Sequence, residues 1–284
     1  MLLPSFEYER PDTIEEAVLL LSTNRNARVL AGGQTLLNAL KLRIVRPDVL
    51  VDVSRIPELH AIERTADGSL AIGAATTYDE IAGSQVVRDM HPVVASMTSR
   101  IVDRQVRARG TIGGNVCLAD PTSNFPPLLV ALGARLRVRA AQAREVDAEA
   151  FFFAPYMTAV REGELLETVV LPPLRADEGL GYESLQVGTD SWALARACAV
   201  VRCNGTISEA RVALGCGPVP VRQPSVEQAL IGCEPTAEAI GAAAALAGDG
   251  FDPPADVHAS AEFRVQMAKA MARRAVLAAV QGRS

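Results

Sequence analysis

The sequence predicts a two-domain α+β fold, and three observations support this. Segments with apolar residues at helical spacing alternate with short apolar segments typical of strands. A chain of 284 residues is long enough for two domains. Prolines and glycines in "LPPLRADEGLGYESL" mark a change of composition near residues 172–181. We therefore predict a first domain over residues 1–175 and a smaller second domain, an antiparallel sheet with helices, over residues 176–284.

The first domain opens with a predicted amphipathic helix in "PDTIEEAVLLL", where Ile14, Ala17, Val18 and Leu21 share one face. A short strand, "ARVLAGG", ends in glycines. A second helix in "TLLNALKLRI" and a strand in "VLVDVSRI" follow. This order predicts a βαβ-like unit that is complete by about residue 56.

The middle of the chain continues the alternation. "SLAIGAATTYDEIAGS" predicts a strand and a short helix, and "HPVVASMTSRIV" predicts another helix. "GTIGGNV" is expected to be an extended segment broken by glycines. In "DPTSNFPPLLVALGARLRVR" the proline pair suits the first turn of a helix, and the strand "RLRVR" follows it.

The second domain begins with two predicted strands, "ALARACAVVRC" and "SEARVALGCG", joined by a "CNGT" turn. An Asn-Gly pair between two apolar segments is a strong hairpin signal. Helices are predicted in "SVEQALIG", in "PTAEAIGAAAALA" and in the long closing segment "SAEFRVQMAKAMARRAVLAAVQG".

Composition excludes several classes of protein. Hydrophobic residues make up 49% and charged residues 21%, which is typical of a globular chain. The net charge of −5 argues against a nucleic-acid binder. "MLLPSFEYER" has no basic region and no sustained apolar stretch, so no signal peptide is predicted. The Ala-rich segment "AIGAAAALAG" is too short to span a bilayer. We expect a cytoplasmic protein with no membrane insertion.

Metal ligation by this chain is not predicted. An odd number of cysteines, five, without a secretory signal indicates reduced thiols. Cys198 and Cys203 have the first spacing of an iron–sulfur loop, but Thr206 stands where the next cysteine would be needed. His60, His91 and His258 are scattered along the chain and match no metal motif.

Two glycine motifs carry the strongest functional signal: "RVLAGGQTLL" over residues 28–37 and "RGTIGGNVCL" over residues 109–118. A glycine pair allows backbone N–H groups to approach a ligand closely. Between a strand and a helix, such N–H groups form an anion site. Neither motif matches the dinucleotide fingerprint or a Walker A loop. One such pair is more often a turn, but two matched motifs favour a clamp around a phosphate-bearing ligand.

The residues of both motifs resemble a known family. "LAGGQTLLNALKLRIVRPDVLVDVSRIPEL" and "RQVRARGTIGGNVCLADPTSNFPPLLVALGARL" look like the two FAD pyrophosphate motifs of the medium subunit of molybdenum hydroxylases. Carbon monoxide dehydrogenase, quinoline oxidoreductase, 4-hydroxybenzoyl-CoA reductase and xanthine dehydrogenase belong to this family. The resemblance covers nearly the whole chain, and it implies a first domain with the FAD-binding fold of the vanillyl-alcohol-oxidase type.

The resemblance also implies a set of FAD contacts and names no catalytic acid or base. Two segments would hold the diphosphate, and five further positions would contact the cofactor. The residues of the first segment are Val29, Leu30, Ala31, Gly32, Gly33, Gln34, Thr35 and Leu36, those of the second are Thr111, Ile112, Gly113, Gly114 and Asn115, and the single positions are Ile101, Asn124, Leu166, Gln186 and Trp192.

Two positions depart from the family pattern. Asn124 stands where an Asp usually binds the cofactor, so a hydrogen-bonding side chain is kept and a charge is lost. Gln186 stands where many members have a Lys, which removes a positive charge. A helix cap is the structural alternative for Asn124, and a core position is the alternative for Trp192. A solvated helix face is expected for Arg104, Arg107 and Arg109.

The implied function is electron transfer within a larger enzyme. A large partner subunit would carry the molybdopterin cofactor, a small partner subunit would carry two 2Fe-2S clusters, and this chain would pass electrons from FAD to an external acceptor. The implied assembly is a dimer of heterotrimers. A self-contained flavin oxidase of the same fold and a flavin-free scaffold subunit are the alternatives.

Overall fold

A computed structural model describes residues 3–101, 103–188 and 191–282. Its strands are β1 (Glu7–Glu9), β2 (Ala27–Leu30), β3 (Val49–Asp52), β4 (Ile62–Arg64), β5 (Leu70–Gly73), β6 (Arg135–Arg139), β7 (Ala143–Asp147), β8 (Phe152–Ala154), β9 (Met157–Thr158), β10 (Leu165–Leu171), β11 (Glu178–Gln186), β12 (Ala193–Asn204), β13 (Thr206–Gly215) and β14 (Val221–Arg222). Its α-helices are α1 (Ile14–Thr23), α2 (Leu36–Lys41), α3 (Tyr78–Gly83), α4 (Gln85–Met90), α5 (Pro92–Ser99), α6 (Arg104–Arg109), α7 (Ile112–Leu118), α8 (Phe125–Leu132), α9 (Ala148–Phe151), α10 (Pro224–Leu230), α11 (Ala237–Ala244) and α12 (Ala261–Gln281). A short 3₁₀ helix spans Pro57–His60.

The chain packs as two compact units. The first unit contains the chain up to Leu118 together with Arg135–Asp147 and Thr158–Val170. The second unit contains Ala119–Ala134, Ala148–Met157 and the chain from Leu171 onward. The segments between residues 119 and 157 therefore alternate between the units. The predicted domain limit at residue 175 stays a prediction.

The first unit opens with the predicted βαβ arrangement. Strands β1, β3 and β2 form a parallel sheet in that order, and α2 connects the two parallel neighbours β2 and β3. Helix α1 begins where the Thr13 side chain accepts a hydrogen bond from the N–H of Glu16. Its buried residues are the four predicted from their spacing, and they pack with the buried faces of β2 and β3.

A second sheet of the first unit has the order β4-β5-β10-β6-β7. Strand β10 of this sheet carries a bulge between Leu166 and Thr168. The Glu167 carboxylate, at this bulge, receives two hydrogen bonds from the Arg139 guanidinium, at 2.7 and 3.1 Å. This bidentate pair joins neighbouring strands β10 and β6.

The prediction of an extended segment over residues 110–116 is wrong, because residues from Ile112 onward form helix α7. Glycine lowers helix propensity by about 1 kcal/mol per residue, which makes the local pattern misleading. Tertiary hydrogen bonds compensate: the N–H groups of Ile112 and Gly113 donate to the carbonyls of Thr76 and Ala74. The Thr111 hydroxyl accepts from the N–H of Gly114 at 3.0 Å.

The second unit contains an antiparallel sheet with the order β11-β12-β13-β14. The predicted hairpin joins β12 to β13, and Gly205 in its turn has a φ of +79°. Helix α12 packs closely on β11, since a Cβ added to Gly181 would lie 1.9 Å from the carbonyl oxygen of Ala275. Helix α8 begins with Pro126 and Pro127 in its first turn, as predicted.

The core of the second unit is formed by small and β-branched side chains of β12 and β13 together with α10, α11 and α12. The three predicted C-terminal helices are all present. The α+β fold class is confirmed.

Candidate functional site

The two glycine motifs contact each other in the first unit. A Cβ added to Gly32 would lie 1.9 Å from the carbonyl oxygen of Arg109 and 3.1 Å from the Cα of Gly110. No other residue type allows this approach without a shift of the backbone. The first motif therefore lies directly against the residues that open the second motif, as a clamp with two sides requires.

The first motif presents a series of backbone donors. Val29 and Leu30 end β2, residues 31–35 form the loop, and Leu36 begins α2. Gly33 has a φ of +72°, a conformation that favours glycine. Among the described residues, no acceptor faces the N–H groups of residues 32–35. Gly32 and Gly33 are half-buried, and Gln34 and Thr35 are exposed, so oxygens of a bound anion can reach these N–H groups.

The second motif is organised differently. Thr111 pairs with Thr77 in an isolated antiparallel bridge, and the N–H of Asn115 donates to the carbonyl of Thr111 at 3.0 Å. The N–H groups of Ile112, Gly113 and Gly114 also have acceptors within the protein. This motif therefore offers mainly side chains and an exposed glycine, Gly114, to a ligand.

Asn115 contributes an unsatisfied acceptor beside these loops. Its Oδ1 is buried and has no hydrogen-bond partner among the described residues. Burial raises the pKa of the neighbouring Tyr78 to about 12, against a smaller lowering effect of the Asn115 amide. Tyr78 therefore stays neutral at physiological pH. A ligand that carries hydroxyl or amine donors would satisfy the Asn115 oxygen.

A capping box supports the second motif from behind. The Thr77 side chain accepts from the N–H of Glu80, and the Glu80 carboxylate accepts from the N–H of Thr77. Burial raises the pKa of Glu80, but hydrogen bonds from Thr77 and the nearby His60 outweigh it, so that the pKa lies below its usual value. Because Thr77 also pairs with Thr111, this cap fixes the start of α7.

Two further predicted residues belong to the first unit. Ile101 is buried after α5, and its carbonyl oxygen accepts a hydrogen bond from the Arg107 guanidinium at 2.8 Å. Leu166 is buried in β10 beside the bulge. The carbonyl of the next residue, Glu167, accepts from the N–H of Ala74, whose own carbonyl accepts from Gly113. These hydrogen bonds connect the strand of Leu166 to the second motif.

Asn124 belongs to the second unit and is not a side-chain cap for α8. Its Oδ1 instead accepts a hydrogen bond from the Tyr182 hydroxyl at 2.7 Å. Asn124 therefore occupies the N-cap position of α8, as the structural alternative predicts, but its carboxamide is held by a tertiary contact and not by a capping hydrogen bond.

Gln186 ends β11, and Trp192 directly precedes β12. The Gln186 Nε2 donates to the carbonyl oxygen of Ser191 at 3.1 Å. The Trp192 side chain is 71% exposed, which excludes the core position considered for it. Thr189 and Asp190 lie outside the described residues. An aromatic side chain exposed to this degree is available for contact with a ligand or a partner.

Three observations concern other functions. None of the five cysteines, all of which the structure describes, forms a disulfide. Within the described residues, no group of three or more His, Cys, Asp or Glu side chains could hold a metal ion. None of the described helices is both long and apolar enough to cross a membrane.

The donors and acceptors of the site fit a dinucleotide cofactor. The N–H groups of the first motif suit a diphosphate, and the orphaned oxygen of Asn115 suits a hydroxyl or amine of the same ligand. FAD carries all of these groups. The fold and the site therefore fit the class of proteins that bind a nucleotide cofactor.

Comparisons with known proteins identify the family. Residues 4–174 match the model for the FAD binding domain in molybdopterin dehydrogenase, and residues 181–279 match the model for the CO dehydrogenase flavoprotein C-terminal domain. The first match alone covers more than half of the chain. The chain belongs to the FAD-binding medium subunits of molybdenum hydroxylases.

Curated relatives and solved structures agree with this assignment. The chain is 36% identical to the carbon monoxide dehydrogenase medium chain of Hydrogenophaga pseudoflava, over 98% of both chains. It is 33% identical to the glyceraldehyde dehydrogenase medium chain of Sulfolobus acidocaldarius, over 97% of this chain and 98% of the relative. A chain in the structure of quinoline 2-oxidoreductase from Pseudomonas putida 86 superposes with a TM-score of 0.94 at 31% identity, covering 100% and 99% of the two chains.

The protein is thus a flavoprotein subunit of an oxidoreductase, and FAD is its cofactor. Sequence reasoning missed Arg109 as the partner of Gly32, Tyr78 beside Asn115, and Tyr182 on Asn124. Only the capping box "TYDE" gave a local signal near any of them, because it places Tyr78 in the first turn of a helix. The other two contacts leave no pattern in the sequence.

Proposed function

We propose that this chain is the electron-transfer subunit of a molybdenum hydroxylase complex. It holds FAD, takes electrons from 2Fe-2S clusters of a small partner subunit, and passes them to an external acceptor. A large partner subunit carries the molybdopterin cofactor and oxidises the organic substrate. The assembly is a dimer of such heterotrimers, located in the cytoplasm.

The observation that carries this proposal is the clamp of two glycine motifs in a chain that matches medium subunits over nearly its whole length. The clamp explains how FAD is held. The relatives are named as medium chains and as subunits, so their dehydrogenase activities belong to assemblies of several chains. A separate subunit that binds FAD supports the proposal that the three subunits carry different cofactors.

The residues of this chain bind and orient the cofactor. Residues 32–35 donate backbone hydrogen bonds to the diphosphate, and the Asn115 carboxamide accepts from a hydroxyl or amine of FAD. Ile101, Leu166, Asn124, Gln186 and Trp192 are the proposed contacts outside the two motifs. Bound FAD supplies the exchange of electrons between donor and acceptor. No acid or base from this chain is needed for that exchange, so we assign no catalytic residue.

Purification of the affinity-tagged chain from its native cells tests the proposal. We expect co-purification of two further chains in equal amounts, with molybdenum, iron and FAD in fixed ratio. The recombinant chain alone should bind FAD reversibly, and acid precipitation should release the flavin. It should not oxidise aldehydes, N-heterocycles or carbon monoxide. Turnover of any of these substrates by the lone, metal-free chain would favour a self-contained oxidase instead.

The scaffold alternative predicts a chain that holds no flavin. A recombinant chain that stays colourless and does not bind added FAD would favour the scaffold alternative. Cell fractionation tests the proposed location, since the tagged chain should appear in the cytoplasmic fraction.

A further inference from the structure

A buried arginine, Arg196, contacts the backbone of the two residues that precede Asn124. The Arg196 side chain is 1% exposed, and its Nη1 donates to the carbonyl oxygens of both Thr122 and Ser123 at 2.7 Å. Hydrogen bonds from a charged donor are about twice as strong as neutral ones. The guanidinium therefore fixes the backbone that leads directly into Asn124.

Tyr182 connects this arginine to the Asn124 side chain. Tyr182 of β11 pairs with Cys198 of β12, which places Arg196 diagonally opposite on the same face of the sheet. The guanidinium carbon lies 5.9 Å from the centre of the Tyr182 ring. Arg196 thus lies against the Tyr182 ring, and the Tyr182 hydroxyl donates to the Asn124 Oδ1 at 2.7 Å.

The direction of the Tyr182 hydrogen bond determines how the carboxamide is presented. Burial raises the pKa of Tyr182, more than the nearby Arg196 charge lowers it, so the phenol keeps its proton at physiological pH. A phenol that donates its proton selects the carboxamide oxygen and not the NH₂ group. The Asn124 Nδ2 is left as a donor that no acceptor among the described residues uses.

We propose that Tyr182 and Arg196 are positioning residues that hold Asn124 with its Nδ2 directed to a hydrogen-bond acceptor of FAD. The proposal rests on the function proposed above, since it takes Asn124 as a cofactor contact. Because the Asn124 Oδ1 accepts from Tyr182, the Nδ2 group is the part of the carboxamide that remains to donate to the ligand.

A double-mutant cycle on the full-length apo-chain tests the proposal, with FAD affinity measured by fluorescence titration. We expect Tyr182→Phe to raise the Kd for FAD about tenfold, because one oriented hydrogen bond is lost. Asn124→Ala should raise the Kd at least as much. The double variant should equal Asn124→Ala, since Tyr182 acts only through Asn124. Additive effects, or an unchanged Kd in either single variant, would overturn the proposal.

Tyr156→Phe is the matched control. Tyr156 lies in the same unit, is exposed, and donates to the Asp120 carboxylate at 3.2 Å. Its loss should leave the Kd for FAD unchanged, and a rise equal to that of Tyr182→Phe would contradict a specific role for Tyr182. Thermal melts of the apo forms separate affinity from stability. A native chain that does not bind FAD would overturn the proposed function together with this inference, whereas normal native affinity with no coupling would overturn the inference alone.

Discussion

Gly32 lies so close to Arg109 that a single added carbon would collide with the Arg109 carbonyl oxygen, at 1.9 Å. These residues are 77 positions apart in the chain, and their contact brings the two glycine motifs together. The role of this glycine is therefore to allow two loop backbones to touch. The other glycines of the motifs have different surroundings, and their substitutions are expected to have different effects.

Gly32→Ala should damage both the fold and the site. The Cβ would meet backbone atoms that cannot rotate away, so we expect a loss of about 2 kcal/mol in the free energy of unfolding. FAD bound per chain should fall as the loops separate. Urea denaturation and flavin absorbance measure the two effects. Gly83→Ala is the control, because nothing lies within 4 Å of a Cβ there, and it should be neutral or slightly stabilising.

Gly114→Val should affect binding more than folding. Gly114 is exposed, lies inside α7 at an ordinary φ, and an added Cβ would meet only the Thr111 hydroxyl, at 2.9 Å. We expect an unfolding free energy within about 1 kcal/mol of the native value. The Kd for FAD should rise at least tenfold, because the side chain fills space that the ligand needs. Full FAD occupancy in a well-folded variant would remove the second motif from the site.

Trp192→Ala should also affect FAD binding more than stability. The side chain is 71% exposed, so its removal should leave the melting temperature of the apo-chain unchanged. If it lies against the flavin, the Kd for FAD should rise severalfold and the visible spectrum of bound flavin should shift. Val187→Ala, which also changes an apolar side chain that is 70% exposed, is the control. Identical behaviour of the two variants would exclude a specific contact of Trp192.

Glu164→Gln should weaken the first unit in a pH-dependent way. The Glu164 carboxylate accepts two hydrogen bonds from Arg144, at 2.6 and 3.0 Å, and this arginine holds the pKa of Glu164 below its usual value. A lowered carboxyl pKa stabilises the fold above the unfolded value of about 4.3, and this contribution is lost as pH falls through the folded pKa. We expect the variant to lose about 1.5 kcal/mol at pH 7.

The difference between the Glu164→Gln variant and the native chain should shrink below about pH 4. Denaturation curves at several pH values measure it. Glu162→Gln, which removes an exposed carboxylate two residues away, is the control, and it should leave the free energy of unfolding within about 0.5 kcal/mol of the native value. A constant difference at all pH values would mean that the ionised form of Glu164 contributes nothing.

Local patterns predicted the elements whose own residues specify them. Helix α1 follows from the spacing of its apolar residues after the Pro-Asp pair. The β12–β13 hairpin follows from its Asn-Gly turn, and α8 follows from its two prolines and the Gly133 end. In each case the forces act between residues a few positions apart, so that the sequence alone contains the information.

The second glycine motif shows where local patterns are insufficient. Two adjacent glycines argue against a helix, yet α7 forms because Thr76 and Ala74 accept hydrogen bonds from its first turn. Those acceptors come from the segment after β5, which lies far from the motif in the sequence. A propensity that reads only neighbouring residues does not detect them.

The sequence by itself determined the α+β class, the main helices and strands, and the two motifs whose resemblance led to the FAD-binding family. The tertiary structure decided which parts of those motifs can hold a ligand. It placed Gly32 against Arg109, and it gives the N–H groups of residues 32–35 no acceptor within the part of the chain that the structure describes. It also joined Asn124 to Tyr182, 58 residues away. The physical reason is that hydrogen bonding and close approach depend on distance in space, and the sequence specifies this distance only through the packing of the whole chain.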